Sequence, residues 1–106
     1  MRIMGIDYGD ARTGLAVSDE MNILVGEAWT LNEWNPERVA DVIAQEAQKR
    51  NVRRLVLVLP KNMDGSEGPR AEKCRDFAEL LRSKTDIELV MWDERRSSIE
   101  AHVILH

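Results

Sequence analysis

Apolar side chains crowd together at the start of the chain. Arg2 to Tyr8 is a short, largely apolar run that stops at Gly9, which predicts a strand. Thr13 to Ser18 predicts a second strand built from small residues. Residues 23 to 32, ILVGEAWTLN, predict a third, with Gly26 as a candidate bulge. The links between these runs are short, and short links favour an antiparallel meander.

The period then changes. WNPERVADVIAQEAQKRN places Asn35 as an N-cap and Pro36 at the first helical position. Val39, Val42, Ile43 and Ala47 recur at helical spacing and give this helix one apolar face. Residues 53 to 60, RRLVLVLP, are nearly continuously apolar, as suits a strand buried on both faces of a parallel sheet. KNMDGSEGP is a turn-rich loop. Pro69 starts a second helix on which Ala71, Cys74, Ala78 and Leu81 share a face, with Phe77 beside it. IELVMWDE predicts a strand ending in acids. SSIEAHVILH predicts a third helix, with Ser97 and Glu100 at capping-box spacing. The order is β-β-β-α-β-α-β-α. Strand-helix-strand units demand right-handed crossovers. The fold class is therefore α/β, a mixed sheet with an antiparallel half, a parallel half and helices on its faces.

Composition narrows this further. A chain of 106 residues, 43% of them hydrophobic, makes one small domain with a modest core. The net charge of −4 provides no global attraction to nucleic acid, so a basic face would have to be local, from pairs such as Arg53-Arg54 and Arg95-Arg96. The single cysteine, Cys74, excludes an intrachain disulfide and is compatible with a reducing compartment. No apolar run approaches the roughly 18 residues of a membrane span, and the N-terminus lacks the features of a signal peptide. A soluble, cytoplasmic protein with no membrane partner is expected.

The candidate chemistry lies in three loops that follow strand ends, at residues 7–14, 60–68 and 93–98. Parallel strands bring their carboxyl ends to one edge, where ligands bind in open α/β sheets. The acids there are Asp7, Asp10, Asp64, Asp93 and Glu94. Clustered carboxylates repel, and hard divalent cations such as Mg2+ or Mn2+ offset that repulsion. Two such ions support in-line phosphoryl transfer. Each acid also has a plainer reading. A lone Asp after a strand, such as Asp7, is more often a turn former; Asp64-Gly65 is most simply a turn beside Asn62, Asp93 an Asx-turn acid, and Glu94 a solvent partner of Arg95 or Arg96. Taken singly, Arg12, Lys61 and Arg70 are surface charges, and Cys74 is a small core residue. His102 and His106 lack ligand spacing. Trp29, Trp34 and Trp92 are expected to be packing residues rather than stacking platforms. What favours phosphate chemistry is the convergence of several acids on one edge among basic residues.

Three blocks, GIDYGDARTGLAVSD, LPKNMDGSEGPRAEK and WDERRSS, lie in an order and spacing that resemble the YqgF/RuvX family. That family is described both as Holliday junction resolvases and as pre-16S ribosomal RNA nucleases. The similarity runs from Arg2 to about Leu105. The first block alone also resembles the phosphate-binding hairpin of sugar kinases and actin-like ATPases; the three together are specific. The resemblance implies a ribonuclease H-like fold over residues 1–106, with sheet order 3-2-1-4-5 and strand 2 antiparallel. It implies a metal-dependent endonuclease that uses Mg2+ or Mn2+ on structured RNA or branched DNA. The process would be 5′-end processing of pre-16S rRNA in ribosome biogenesis, Holliday junction resolution, or both. Asp7 matches the acid of the first strand. Asp93 and Glu94 match the acidic pair after the fifth, with Glu94 the second metal ligand and Arg95 the arginine that follows. Asn62, Asp64 and Gly65 match the loop beside the site. Arg12, Lys61, Asn62, Arg95 and Arg96 would then contact nucleic acid.

Two departures shape the expectation. Val58 stands where the family has glycine, so its side chain should crowd a neighbouring strand. The family's last helix carries a further aspartate with no counterpart before His106, so either the sequence is a fragment lacking its tail or the protein lacks a full site. A missing last helix would leave one sheet face partly open and favour a homodimer. It would also favour a catalytically incomplete nucleic-acid-binding module. A nucleotide-phosphate binder is a third reading, disfavoured because kinases of that superfamily close two lobes around the nucleotide.

Overall fold

A computed structural model describes residues 2–18, 25–60 and 68–93. The elements follow in the order β1 (Arg2–Asp7), β2 (Arg12–Ser18), β3 (Val25–Asn32), α1 (Pro36–Lys49), β4 (Val52–Leu59), α2 (Pro69–Lys84) and β5 (Glu88–Asp93). The five strands form one sheet in the order β3-β2-β1-β4-β5. β2 runs antiparallel to both neighbours, while β1, β4 and β5 are parallel. The α/β class and the 3-2-1-4-5 order are those expected. The third helix expected over residues 97–106 lies outside the described residues.

Strand alternation explains how the sheet buries its core. Met4 and Ile6 of β1, Leu15 and Val17 of β2, and Leu55 and Leu57 of β4 all point to one face. Val39, Ile43 and Ala47 of α1 cover that face, as do Phe77, Ala78 and Leu81 of α2. Among the described residues, both helices pack on this one face. β4 sits between β1 and β5 and buries three consecutive residues, Leu55, Val56 and Leu57, as its unbroken apolar run requires. Cys74 is buried on α2 beside Leu59 and Ala71 and forms no disulfide. The bulge falls where it was expected: Val17 opposes Glu27 and Ser18 opposes Val25, leaving Gly26 as the extra residue.

The helix ends follow local chemistry. Asn35 Oδ1 accepts from the Glu37 amide at 2.9 Å, and Pro36 occupies the first turn, where no amide is needed. Asn51, with φ 58°, takes the left-handed position that ends α1. Arg50 then ties the helix end to the edge strand. Its guanidinium lies 4.7 Å from the centre of the Trp29 ring and bridges to Glu27 at 2.9 Å and Glu46 at 3.3 Å. Lys84 in the last turn of α2 reaches Asp41 of α1 at 3.1 Å.

One buried group works against this core. Thr13 is wholly enclosed among apolar residues, and its hydroxyl has no hydrogen-bond partner. An unpaired buried hydroxyl is a cost that a methyl group of the same shape removes. Thr13→Val should therefore stabilise the protein by about 1 kcal/mol, seen as a rise of about 4–8 °C in thermal melting.

Candidate active site

Alternation along β1 decides where Asp7 goes. Met4 and Ile6 enter the core, so Asp7 emerges on the opposite face, exposed, at the carboxyl end of the strand. Its register partner on β2 is Gly14. A Cβ on Gly14 would lie 3.6 Å from Asp7 Cβ, an ordinary contact, so glycine leaves room there without being forced. Gly5, Gly14, Ala16, Ala28 and Thr30 floor a groove of ≈ 340 Å³ that Asp7 also lines. An Asp that forms a turn accepts a hydrogen bond from a nearby backbone amide. Among the described residues, none donates to Asp7, so the turn reading of this residue has no hydrogen bond behind it. The connection between β1 and β2 is shaped by other means. A Cβ on Gly9 would collide with the Arg12 carbonyl, and Ala11 accepts from the Glu33 amide at 3.1 Å.

The other expected residues separate into groups. Asp93 ends β5, in register with Leu59. Ile6, Leu57 and Met91 form one row across the parallel strands. Asp7 lies one residue beyond that row and Asp93 two. Both therefore reach the same edge, with two strand spacings, roughly 10 Å, between their backbones. Arg12 opens β2; it is exposed, lies on the face of Gly14 and Asp7, and has no partner among the described residues. Glu94, Lys61, Asn62, Asp64, Arg95 and Arg96 lie outside the described residues. Among those described, no three His, Cys, Asp or Glu side chains gather to hold a metal. The Arg53-Arg54 pair belongs to the far end of the sheet, where Arg54 bridges to Glu88 at 3.0 Å. Val58 opposes Trp92 in an unbroken β4–β5 ladder, without disturbing the pairing.

On the helix side of the same edge, Tyr8 stacks on Phe77 with ring centres 4.1 Å apart. Burial, then the nearby Asp10 carboxylate, then Cys74, raise the Tyr8 pKa above 10.0, so the phenol stays protonated at neutral pH. Asp10, grouped with the other acids by sequence, is held by Lys73 of α2, with Nζ 3.2 and 3.4 Å from its two carboxylate oxygens. Together with Trp34, Asp76 and Phe77 these residues line a cavity of ≈ 550 Å³. Trp34 corrects an expectation: it is 74% exposed and does not pack, whereas Trp29 joins the core. Neither Lys73 nor Asp76 was singled out by motif or spacing. Only the fold brings α2 against the first hairpin.

The family model described as "RuvX: Holliday junction resolvase" matches residues 1–106. The chain belongs to the RuvX family. A protein of Halothermothrix orenii named "Putative pre-16S rRNA nuclease" is 44% identical over 105 residues, covering 99% of this chain and 75% of the relative. A protein of the same name from Bacillus mycoides is 43% identical over 107 residues, covering 99% and 78%. The RuvX chain also shares its fold with Thermus thermophilus RuvC, at a TM-score of 0.64 and 10% identity, over 88% of this chain and 64% of that one. No helix among the described residues is long and apolar enough to cross a membrane.

The loop that presents Trp34 in this RuvX chain is held by a carboxylate. Glu33 accepts from the amides of Trp34 at 2.9 Å and Asn35 at 3.2 Å. Its pKa is lowered below 4.5, first by the Asn35 amide, with the Trp34 amide and Arg38 adding to the effect. A depressed folded-state pKa means that the contribution is present above the unfolded value and is lost as pH falls through the folded one. Melting temperatures measured from pH 7 to pH 3 should therefore show a loss below about pH 4.5 that is smaller in Glu33→Gln.

Proposed function

We propose that this chain is an endonuclease that cleaves a phosphodiester of structured nucleic acid at the edge formed by the carboxyl ends of β1 and β5. The observation that carries the reading is Asp7: an exposed carboxylate at the end of a buried central strand, with no protein partner among the described residues. Family membership and the names of the relatives support it. Free carboxylate oxygens suit Mg2+ or Mn2+. Asp7 would be one ligand and Glu94 another, with Asp93 preceding Glu94 at the same edge. Such an ion supplies Lewis-acid polarisation of the phosphate and activation of water.

The chain's own residues divide the remaining work. By holding the cation, Asp7 would fix where the reacting phosphate lies relative to β1. Arg12, on the same face and without a partner among the described residues, would hold a neighbouring phosphate, with Lys61, Asn62, Arg95 and Arg96 as further contacts. Such contacts set affinity and register but carry no base sequence. The small residues flooring the groove admit a sugar-phosphate backbone close to the sheet. The substrate favoured is a precursor of 16S ribosomal RNA, because relatives at more than 40% identity bear the name "Putative pre-16S rRNA nuclease"; processing at its 5′ end in the cytoplasm is what the family resemblance adds. A four-way DNA junction is the second substrate to assay. A binding module without catalysis is the alternative that the same assay tests.

Cleavage of a pre-16S leader RNA and of a four-way junction in Mg2+ or Mn2+ separates these readings. Wild type should cut, and Asp7→Asn should fall to background with stability unchanged to within about 0.5 kcal/mol. Binding without cutting by wild type would favour the module, and full activity in Asp7→Asn would contradict the site. Arg12→Ala should weaken binding of all sequences alike. It should also reduce the slope of log affinity against log salt by about 0.7–0.9, the signature of one lost phosphate contact.

A further inference from the structure

We propose that the cavity on the helix side of the catalytic edge takes an unpaired base of the substrate, stacked on Trp34. The inference rests on the nuclease reading above and adds a base subsite to it. Trp34 is the large apolar side chain left standing in solvent among the described residues. The backbone that carries it is held, because Glu33 accepts from the amides of Trp34 and Asn35 and α1 begins at Pro36. An exposed aromatic face beside a cavity, on a backbone held in place, is a platform for a flat apolar ring, and every nucleobase has one.

The walls fit a base better than they fit a phosphate or a plain hydrocarbon. Tyr8, Phe77 and Leu80 supply an apolar floor. The polar groups are Asp10, Lys73 and Asp76. The Asp10–Lys73 pair is internally neutralised, and Asp76 has no partner among the described residues. The surplus charge is thus negative, which repels a phosphate but accepts hydrogen bonds from the exocyclic amino groups of adenine, cytosine or guanine. Lys73 offers a donor to ring nitrogens and carbonyl oxygens. The volume of ≈ 550 Å³ suits a small flat ligand.

Position ties the cavity to the reaction. Asp7 and Tyr8 are consecutive, so their Cα atoms are about 3.8 Å apart. Alternation turns Asp7 to one face of the sheet and Tyr8 to the other. A strand whose phosphate sits at Asp7 can pass over the edge and place the adjoining base against Tyr8 and Trp34. A fully paired duplex presents no free base to do so. The subsite therefore favours a substrate with an unpaired nucleotide beside the cut.

The test is metal-free binding of fluorescein-labelled RNA by the full chain, so that no cleavage intervenes. The probes are a single strand, a duplex with a single-stranded 5′ overhang, and the same duplex with blunt ends. Trp34→Ala should bind the first two about 5- to 150-fold more weakly than wild type, the range for loss of one base stack. Trp34→Phe should recover most of that loss, and binding of the blunt duplex should not change. Asp76→Asn should reduce any preference for oligo-C over oligo-U. Equal binding of the single strand by Trp34→Ala and wild type overturns the inference and makes Trp34 a contact for a protein instead. Equal loss on the blunt duplex overturns it too, since no base is free there. If wild type cuts while Trp34→Ala binds normally, the subsite fails and the nuclease reading stands. If wild type neither binds nor cuts, both fail.

Discussion

Parallel pairing of β1 with β4 obliges the chain to leave the antiparallel meander, cross over through α1 and return beside its own first strand. The same crossover repeats through α2 to set β5 beside β4. Each crossing deposits an amphipathic helix on one face, over the rows Met4–Leu55–Leu89 and Ile6–Leu57–Met91, whose β1 and β4 members are buried and whose β5 members are partly so. The hydrophobic gain from that layer holds the sheet register, because a slip of one residue would turn Ile6 out and Asp7 in. Burial of Ile6 and exposure of Asp7 are thus one constraint seen from two sides. The placement of an acid at the working edge follows from packing the core.

Periodicity made most of this architecture legible. Val39, Val42, Ile43 and Ala47 at helical spacing, the Asn35-Pro36 start, and the continuous run from Leu55 to Leu59 each reflect a local rule that tertiary packing then obeyed. Gly26 was legible as a bulge because glycine inside a strand has few other uses. The left-handed Asn51 that ends α1 and the Arg50 cluster beneath Trp29 were not foreseen, because they depend on which strand lies beside the helix end. Thr13 was equally hidden: its hydroxyl is unpaired only because the hairpin turns that face inward.

The candidate site was legible to a different degree at each residue. Asp7 and Asp93 fall at strand ends, so strand prediction alone brings them to one edge. Their chemistry came from family resemblance, which also named Glu94. Asp10 misled, because its nearness in sequence to Asp7 says nothing of Lys73, which is 63 residues away and pairs with it. Trp34 misled in the opposite sense, as tryptophan is more often buried than presented, and only the Glu33 carboxylate holding its backbone explains the exception. The basic pair Arg53-Arg54, attractive by composition, lies at the wrong end of β4. Charge that matters to a site is decided by topology, which composition does not carry.

Taken together, the sheet edge has an acidic point on one face, at Asp7, and an aromatic cavity on the other, at Tyr8 and Trp34. The nuclease account depends on the first of these holding a divalent cation. Titration of the isotope-labelled protein with Mn2+, followed by paramagnetic broadening of backbone amide signals, tests this without reference to activity. The account predicts broadening centred on Asp7 and Asp93, sparing Val52 and Glu88 at the opposite end of the sheet, and abolished by Asp7→Asn. Broadening centred elsewhere, or unchanged in Asp7→Asn, would contradict it.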